Sequence, residues 1–230
     1  MSSFKFILLI LSTHLILSDY IEGIDVSFYQ GEIDWNTVSK TKQFAILRMS
    51  YGTRGEDSHF QSYYKNAKAA NVEVGAYLFS LASTVDDAIA EGNYALQLLS
   101  GKQFEWPIYY DMESTEALSG DVNAKLEAFC DVLQKNNYFC GIYTNPSTVS
   151  THFKFSVLEK YAVWIAHWDV SQPSFDGNWG IWQYGNGTVE GIPALCDLDY
   201  ARIYYPEIIK SKRFIEKVLS PEQGIFLLRG

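Results

Sequence analysis

Two acidic residues close an otherwise apolar run, Trp106-Pro107-Ile108-Tyr109-Tyr110-Asp111-Met112-Glu113. Read as a β-strand, this run turns Asp111 and Glu113 to the same side, with Cα atoms about 6.5 Å apart, because side chains alternate along a strand. Two carboxyls that close and withdrawn from water push each other's proton affinities apart, so that one stays protonated while the other ionises. Such a pair can protonate a leaving oxygen and hold negative charge beside a developing cation, which is what cleavage of a glycosidic bond demands. The D-x-E spacing alone is a weak signal, since acidic pairs are common on solvated loops. Its setting is stronger: Asp25 in Gly23-Ile24-Asp25-Val26-Ser27-Phe28 and Asp197 in Leu195-Cys196-Asp197-Leu198 stand at matching ends of two more strand-like runs. Four carboxylates converging on one rim are costly unless they work on a substrate.

Little else in the chain suggests chemistry. No Gly-rich phosphate loop or G-x-S-x-G elbow occurs, and His14, His59, His152 and His167 lack metal-ligand spacing. No metal site is therefore expected. His167, next to Trp168, either hydrogen-bonds a substrate or packs as a satisfied core histidine. Cys130, Cys140 and Cys196 form neither a metal pattern nor a redox C-x-x-C pair. Cys130 and Cys140 either bridge or stay reduced as buried thiols. The spacing leaves both open, because Cys130 falls more than a turn from the end of its predicted helix while Cys140 begins the next strand. Asn186-Gly187-Thr188 is a glycosylation sequon on a predicted loop, whereas Pro146 blocks the one at Asn145.

The elements that must position the carboxylates follow from periodicity. Short β-rich runs at 23–28, 44–51, 73–80, 106–113 and 139–145 read as parallel strands, with helical-period segments between them. The segment 84–100 carries Val85, Ala88, Ile89, Gly92, Ala95, Leu96 and Leu99 at helical spacing, behind a Thr84-x-x-Asp87 capping box. The segment 120–137 repeats the pattern with Val122, Leu126, Phe129, Cys130 and Leu133. Shorter helices are predicted at 34–42, 58–71 and 147–160. Beyond residue 160, strands at 162–168, 178–185 and 194–201 are joined by links of about nine residues, too short for packed crossover helices. The expected fold is α/β: an irregular TIM-like barrel of eight strands and about five helices, (β/α)5(β)3, followed by a helical pattern at 206–219. In such a barrel the chemistry sits where the strands open onto the rim.

Residues 1–18 have Lys5 before an apolar run too short to span a bilayer, and they read as a secretory signal peptide. Residues 19–219 form one domain with no linker or repeat, and 220–230 read as a loosely attached tail. The chain is thus expected to be secreted, or delivered to a digestive, lysosome-like vesicle, without stable membrane association. The formal charge of −9 excludes steering onto nucleic acid. It also disfavours binding anionic cell walls by bulk electrostatics. A monomer is assumed.

These residues resemble a known family, the glycoside hydrolase family 25 lysozymes, or Chalaropsis-type N-acetylmuramidases. The resemblance spans about residues 21–205. It rests on seven motifs in order: Gly23 to Gly31, Phe44 to Gly52, Gly75-Ala76-Tyr77, Pro107 to Glu113, Gly141 to Thr144, Trp164-Ile165-Ala166, and Trp182-Gln183-Tyr184. It implies a barrel of eight strands and five helices that hydrolyses the β-1,4 bond between N-acetylmuramic acid and N-acetylglucosamine in bacterial peptidoglycan, without a cofactor. Carried onto this chain, it implies Glu113 as general acid/base. Asp111 would be its partner carboxylate, orienting the substrate's acetamido group, with Asp25 lining the same subsite and Asp197 matching the catalytic-site aspartate of the family's VDLN motif. Tyr77, Tyr110, Trp164 and Gln183 are the expected saccharide contacts. The chain departs from the pattern at Leu78, where many members carry His, and at Asp199, where Asn is usual. Digestion of bacteria and defence against them are both consistent roles. The rivals are a catalytically silent saccharide-binding barrel and a chitinase-like barrel; the strand before Asp111 lacks the further acids that the second requires.

Overall fold

A computed structural model of the chain describes residues 20–219; the expected signal peptide and C-terminal tail lie outside the described residues. Eight strands close a barrel in chain order: β1 (Ile21–Val26), β2 (Phe44–Tyr51), β3 (Glu73–Phe79), β4 (Ile108–Asp111), β5 (Cys140–Thr144), β6 (Ala162–Ala166), β7 (Ile181–Gly187) and β8 (Cys196–Ala201). Strands β1 to β7 run parallel, while β8 pairs antiparallel with both β7 and β1.

The first five strands are each followed by helix: α1 (Trp35–Val38), α2 (Phe60–Ala69), α3 (Val85–Leu99), α4 (Val122–Lys135), and after β5 both α5 (Pro146–His152) and α6 (Phe155–Leu158). The last sector carries none until α7 (Tyr205–Leu219). The described residues thus carry seven α-helices: the five predicted between strands, with the 147–160 helix divided in two, and the predicted pattern at 206–219. The division falls at Phe153, which is extended, and Asn123 clamps it by donating to the His152 carbonyl and accepting from the Lys154 amide. Thr84 and Asp87 cap α3 reciprocally, as their spacing predicts.

Strand alternation divides the apolar residues into two layers. Ile24, Leu47, Val74, Ala76, Leu78, Ile108, Tyr110, Ile142 and Val163 face outward beneath the helices. Phe44, Ile46, Trp106, Tyr109, Trp164 and Ile181 fill the interior, and Tyr205 and Ile209 of α7 close its lower end. Glycines at two inward positions make room for the rings. A Cβ on Gly23 would stand 2.2 Å from the Phe44 ring, and one on Gly141 would stand 2.6 Å from the Ala162 carbonyl oxygen. Large side chains thus plug the lower barrel, and the upper mouth is left to polar groups.

Cys130 and Cys140 form a disulfide, resolving the alternative that spacing left open. After α4 the chain turns back at Asn137, in the left-handed region at φ +65°, and β5 rises directly against the helix. Their Cα atoms lie 5.4 Å apart. Cys196 is a free, buried thiol. A bridge closing a loop of this length constrains the unfolded chain by about 2.5 kcal/mol, so replacing both bridged cysteines with alanine lowers the melting temperature by roughly 5–10 °C. Calorimetry of the two proteins checks this; equal melting temperatures would mean that the bridge adds nothing.

Candidate active site

Tracing the inward positions upward from the aromatic plug leads to a mouth lined by acids. Asp25 is the fifth residue of β1, Asp111 the last of β4, and Glu113 lies two residues beyond, where outward-facing Met112 preserves the alternation. Asp197 is the second residue of β8 and reaches the same rim only because β8 is antiparallel, pairing directly with Asp25. All four line one cleft of about 220 Å³, together with Tyr77, Trp164 and Gln183. Seven of the eight residues expected from sequence therefore meet.

Tyr110 does not join them. Adjacent to Asp111 on β4, it points to the opposite side of the sheet, stacks on Phe129 of α4 at 3.9 Å, and donates a 2.6 Å hydrogen bond to buried Glu91 of α3. Its role is to bind barrel to helix layer. Leu78 is likewise buried in the outer layer and does not form the floor of the site. His167 lies outside the cleft lining, and its Nδ1 accepts the Ser174 amide. Asn186 lies on β7 rather than in a loop, with its side chain exposed.

The structure adds lining residues that sequence reasoning had passed over, chiefly Arg48, Tyr143, Tyr29 and Phe79. Tyr143 donates to Gln183 Oε1 at 3.0 Å, and Trp168 Nε1 donates to the same oxygen at 3.0 Å. With its carbonyl occupied, the Gln183 amide turns Nε2 onto Asp25 Oδ2 at 2.8 Å. Arg48 lies under the Phe28 and Tyr29 rings, 5.0 and 5.3 Å from their centroids, and its Nε bonds Asp57 Oδ2 at 2.9 Å. Asp57 also accepts the amides of Phe28 and His59, tying the loop after β1 to β2. Replacing Arg48 with methionine leaves the Asp57 carboxylate buried with backbone donors alone, a loss of about 3 kcal/mol of folding stability. Urea unfolding measures it, and a change below about 0.5 kcal/mol, the size typical of surface substitutions, would contradict that role.

Electrostatically, the acids of the mouth hold their protons more tightly than free carboxyls. Burial raises Asp25 and Asp111 well above the ordinary carboxyl value of 3.8, with further upward pushes from Asp199 and Asp197 on Asp25 and from Glu113 on Asp111. Arg48 opposes the shift on Asp111. Glu113 opens to solvent at the lip, and even there burial of its stem, followed by the charge on Asp197, lifts it above 4.5. Asp197 is raised by burial. One oxygen of Asp111, Oδ1, is buried and receives no hydrogen bond within the protein. A buried acceptor without a donor is costly to keep charged, which acts in the same direction as burial on Asp111.

The loop bearing Glu113 is held from behind. Ser114 Oγ donates to the Ser80 carbonyl at 2.8 Å, and buried Lys125 of α4 donates to the carbonyls of Ala82 and Glu116 at 2.9 Å each. Rigid support of this kind fixes a proton donor at the lip. Among the described residues, no group of three or more His, Cys, Asp or Glu is placed to hold a metal ion, and no helix is long and apolar enough to cross a membrane.

Comparison with known proteins gives a consistent picture. The model of a family described as glycosyl hydrolases family 25 matches residues 24–192. The chain is 27% identical over 182 residues to an autolytic lysozyme of Clostridium acetobutylicum, covering 78% of this chain and 55% of that protein. It thus spans about half the length of that relative. It is also 27% identical over 201 residues to lysozyme M1 of Streptomyces globisporus, covering 77% and 66% of the two chains. Among solved structures, the CTP1L endolysin superposes with a TM-score of 0.76 at 27% identity, covering 83% of this chain and 70% of that one. A family 25 glycosyl hydrolase from Bacillus anthracis superposes with a TM-score of 0.71 at 23% identity, covering 84% and 94%, a likeness of fold.

Proposed function

Because the chain belongs to glycosyl hydrolase family 25, we propose that it is a lysozyme that hydrolyses the β-1,4 bond between N-acetylmuramic acid and N-acetylglucosamine in bacterial peptidoglycan. The observation that carries this reading is the convergence of Asp25, Asp111, Glu113 and Asp197 on one cleft over an aromatic-lined floor. Glu113, raised and solvent-accessible at the lip, is the proton donor to the glycosidic oxygen as the C–O bond breaks. After the leaving saccharide departs, the same carboxylate takes a proton from the attacking water, which restores Glu113 and completes hydrolysis. Asp111, in the lining of the cleft, orients the substrate's acetamido group. Asp25 and Asp197 hold negative charge near the oxocarbenium-like centre. Tyr77 and Trp164 bound the sugar, while Gln183 sets the orientation of Asp25.

The biological reading follows from substrate and sequence together: a secreted or vesicle-delivered monomer that digests bacteria or defends against them. The autolytic lysozyme and endolysin relatives support action on cell walls.

Incubation of the chain from residue 19 with purified, insoluble peptidoglycan tests the enzymatic reading. Release of soluble saccharide with falling turbidity is expected. Wall binding without release would identify a silent saccharide-binding barrel instead.

A further inference from the structure

Below Asp111 and Glu113 a second carboxyl pair is sealed into the cleft floor. Asp199, on β8, is fully buried. Its Oδ1 accepts Trp164 Nε1 at 2.8 Å, while its Oδ2, equally buried, meets no protein donor. The β1–β8 register pairs Asp25 with Asp197 and puts Asp199 two residues away on the same inward face, so its carboxyl interacts with that of Asp25, whose own Oδ2 accepts Gln183 Nε2. Tyr143 and Trp168 occupy Gln183 Oε1, so the amide stays turned toward Asp25.

Carboxylates have only acceptors, so a contact between two of them needs one proton. The surroundings do not supply a cation in its place. Arg48 on β2 is engaged by Asp57, and Lys42, ahead of β2, by Glu22 at 2.7 Å. The other titratable groups whose charge is felt by the pair, or that feel its charge, are Tyr77 on β3, Tyr109 and Asp111 on β4, Tyr143 on β5, Tyr184 on β7, and Asp197 and Cys196 on β8, with Glu113 above; each is neutral or adds negative charge. Burial and mutual repulsion raise both carboxyls well above 3.8.

We propose that Asp199 is a positioning residue that shares one proton with Asp25, so that the two carboxyls carry a single negative charge and Asp25 is held in the cleft floor. This deepens the reading of the site as a glycosidase; the shared proton itself is independent of turnover. Asp199→Asn replaces the shared proton with a permanent N–H donor of the same shape. Asp199→Leu removes the link.

Carboxyl NMR titration of the chain from residue 19 with labelled aspartate, wild type against Asp199→Asn, reads the proton directly. The expected result is two linked steps in the wild type and, in the variant, a single Asp25 midpoint lower by about one pH unit or more. An Asp25 midpoint unmoved by the substitution would overturn the proposal. Turnover of peptidoglycan supplies the second readout. Asn keeps Asp25 placed and Leu does not, so the Leu variant should fall about a hundredfold below the Asn variant. A folded Leu variant as active as Asn would refute positioning. Should the Leu variant not fold, the Asn titration decides alone, and wild-type inactivity would strike the lysozyme reading while the titration still judges the proton.

Discussion

Replacing Glu113 with glutamine is expected to lower the rate of peptidoglycan cleavage by about a thousandfold while wall binding persists, since general-acid catalysis supplies roughly 10²–10⁴ in rate. Glutamine keeps the side chain's shape and removes the proton that must reach the leaving oxygen. The pH profile sharpens the expectation. Because partial burial and the charge on Asp197 raise Glu113 above 4.5, the donor stays protonated into mildly acidic solution and is lost as pH climbs through the raised value. Wild-type activity should decline along that limb, and residual activity of the glutamine variant should show no such limb. A variant retaining more than about a tenth of the wild-type rate, well outside the range for a lost general acid, would displace Glu113 from this role.

The second large effect sets stability against activity. Asp111 is buried, has an oxygen without a donor, and is raised well above 3.8 by burial first and by Glu113 next. A carboxyl raised in the folded state favours folding below its ordinary value, and that contribution is lost as pH rises through the folded value. At neutral pH Asp111 therefore destabilises the barrel, and Asp111→Asn should be more stable there by at least about 1 kcal/mol, since a tenfold change in proton affinity corresponds to about 1.4 kcal/mol. Near pH 3, below 3.8, the difference should vanish. Turnover should drop by about a hundredfold in the same protein, because the neutral amide cannot accept from the substrate in the same way. Chemical denaturation across pH, paired with cleavage rates, decides it. A variant less stable than wild type at pH 7 would mean that Asp111 is held by donors that the structure does not show.

Much of this site was readable from residue types and parity. Six of the eight strands fall within the runs that apolar patterning picks out, β1 and β7 each overrunning theirs by two residues, and the helix-poor sector follows from links too short to hold crossover helices. The same alternation that pairs Asp111 with Glu113 also sends Tyr110 to the far side of β4, a consequence that its place beside the acids obscured. It equally turns Leu78 outward, so the change from the usual histidine lies among the helices rather than in the cleft. Tyr143 could have been found by register, as it lies level with Asp111 on one side and Trp164 on the other.

Other features lay beyond any local pattern. Asp197 reaches the rim only through the antiparallel course of β8, which its six residues from Cys196 to Ala201 do not encode. Arg48 reads as a lone cation inside a strand until Asp57, Phe28 and Tyr29 are seen around it. The disulfide depended on the tight return at Asn137, a backbone conformation rather than a spacing.

The most direct test of the whole account is the chemical identity of the ends released from peptidoglycan, fixed by borohydride reduction and analysis of the reduced sugars. Cleavage by the acids at the barrel mouth, with Glu113 as proton donor, predicts reduced muramic acid, appearing with the wild type and not with Glu113→Gln. Reduced glucosamine in its place, or no new ends from a protein that still binds the wall, would contradict it.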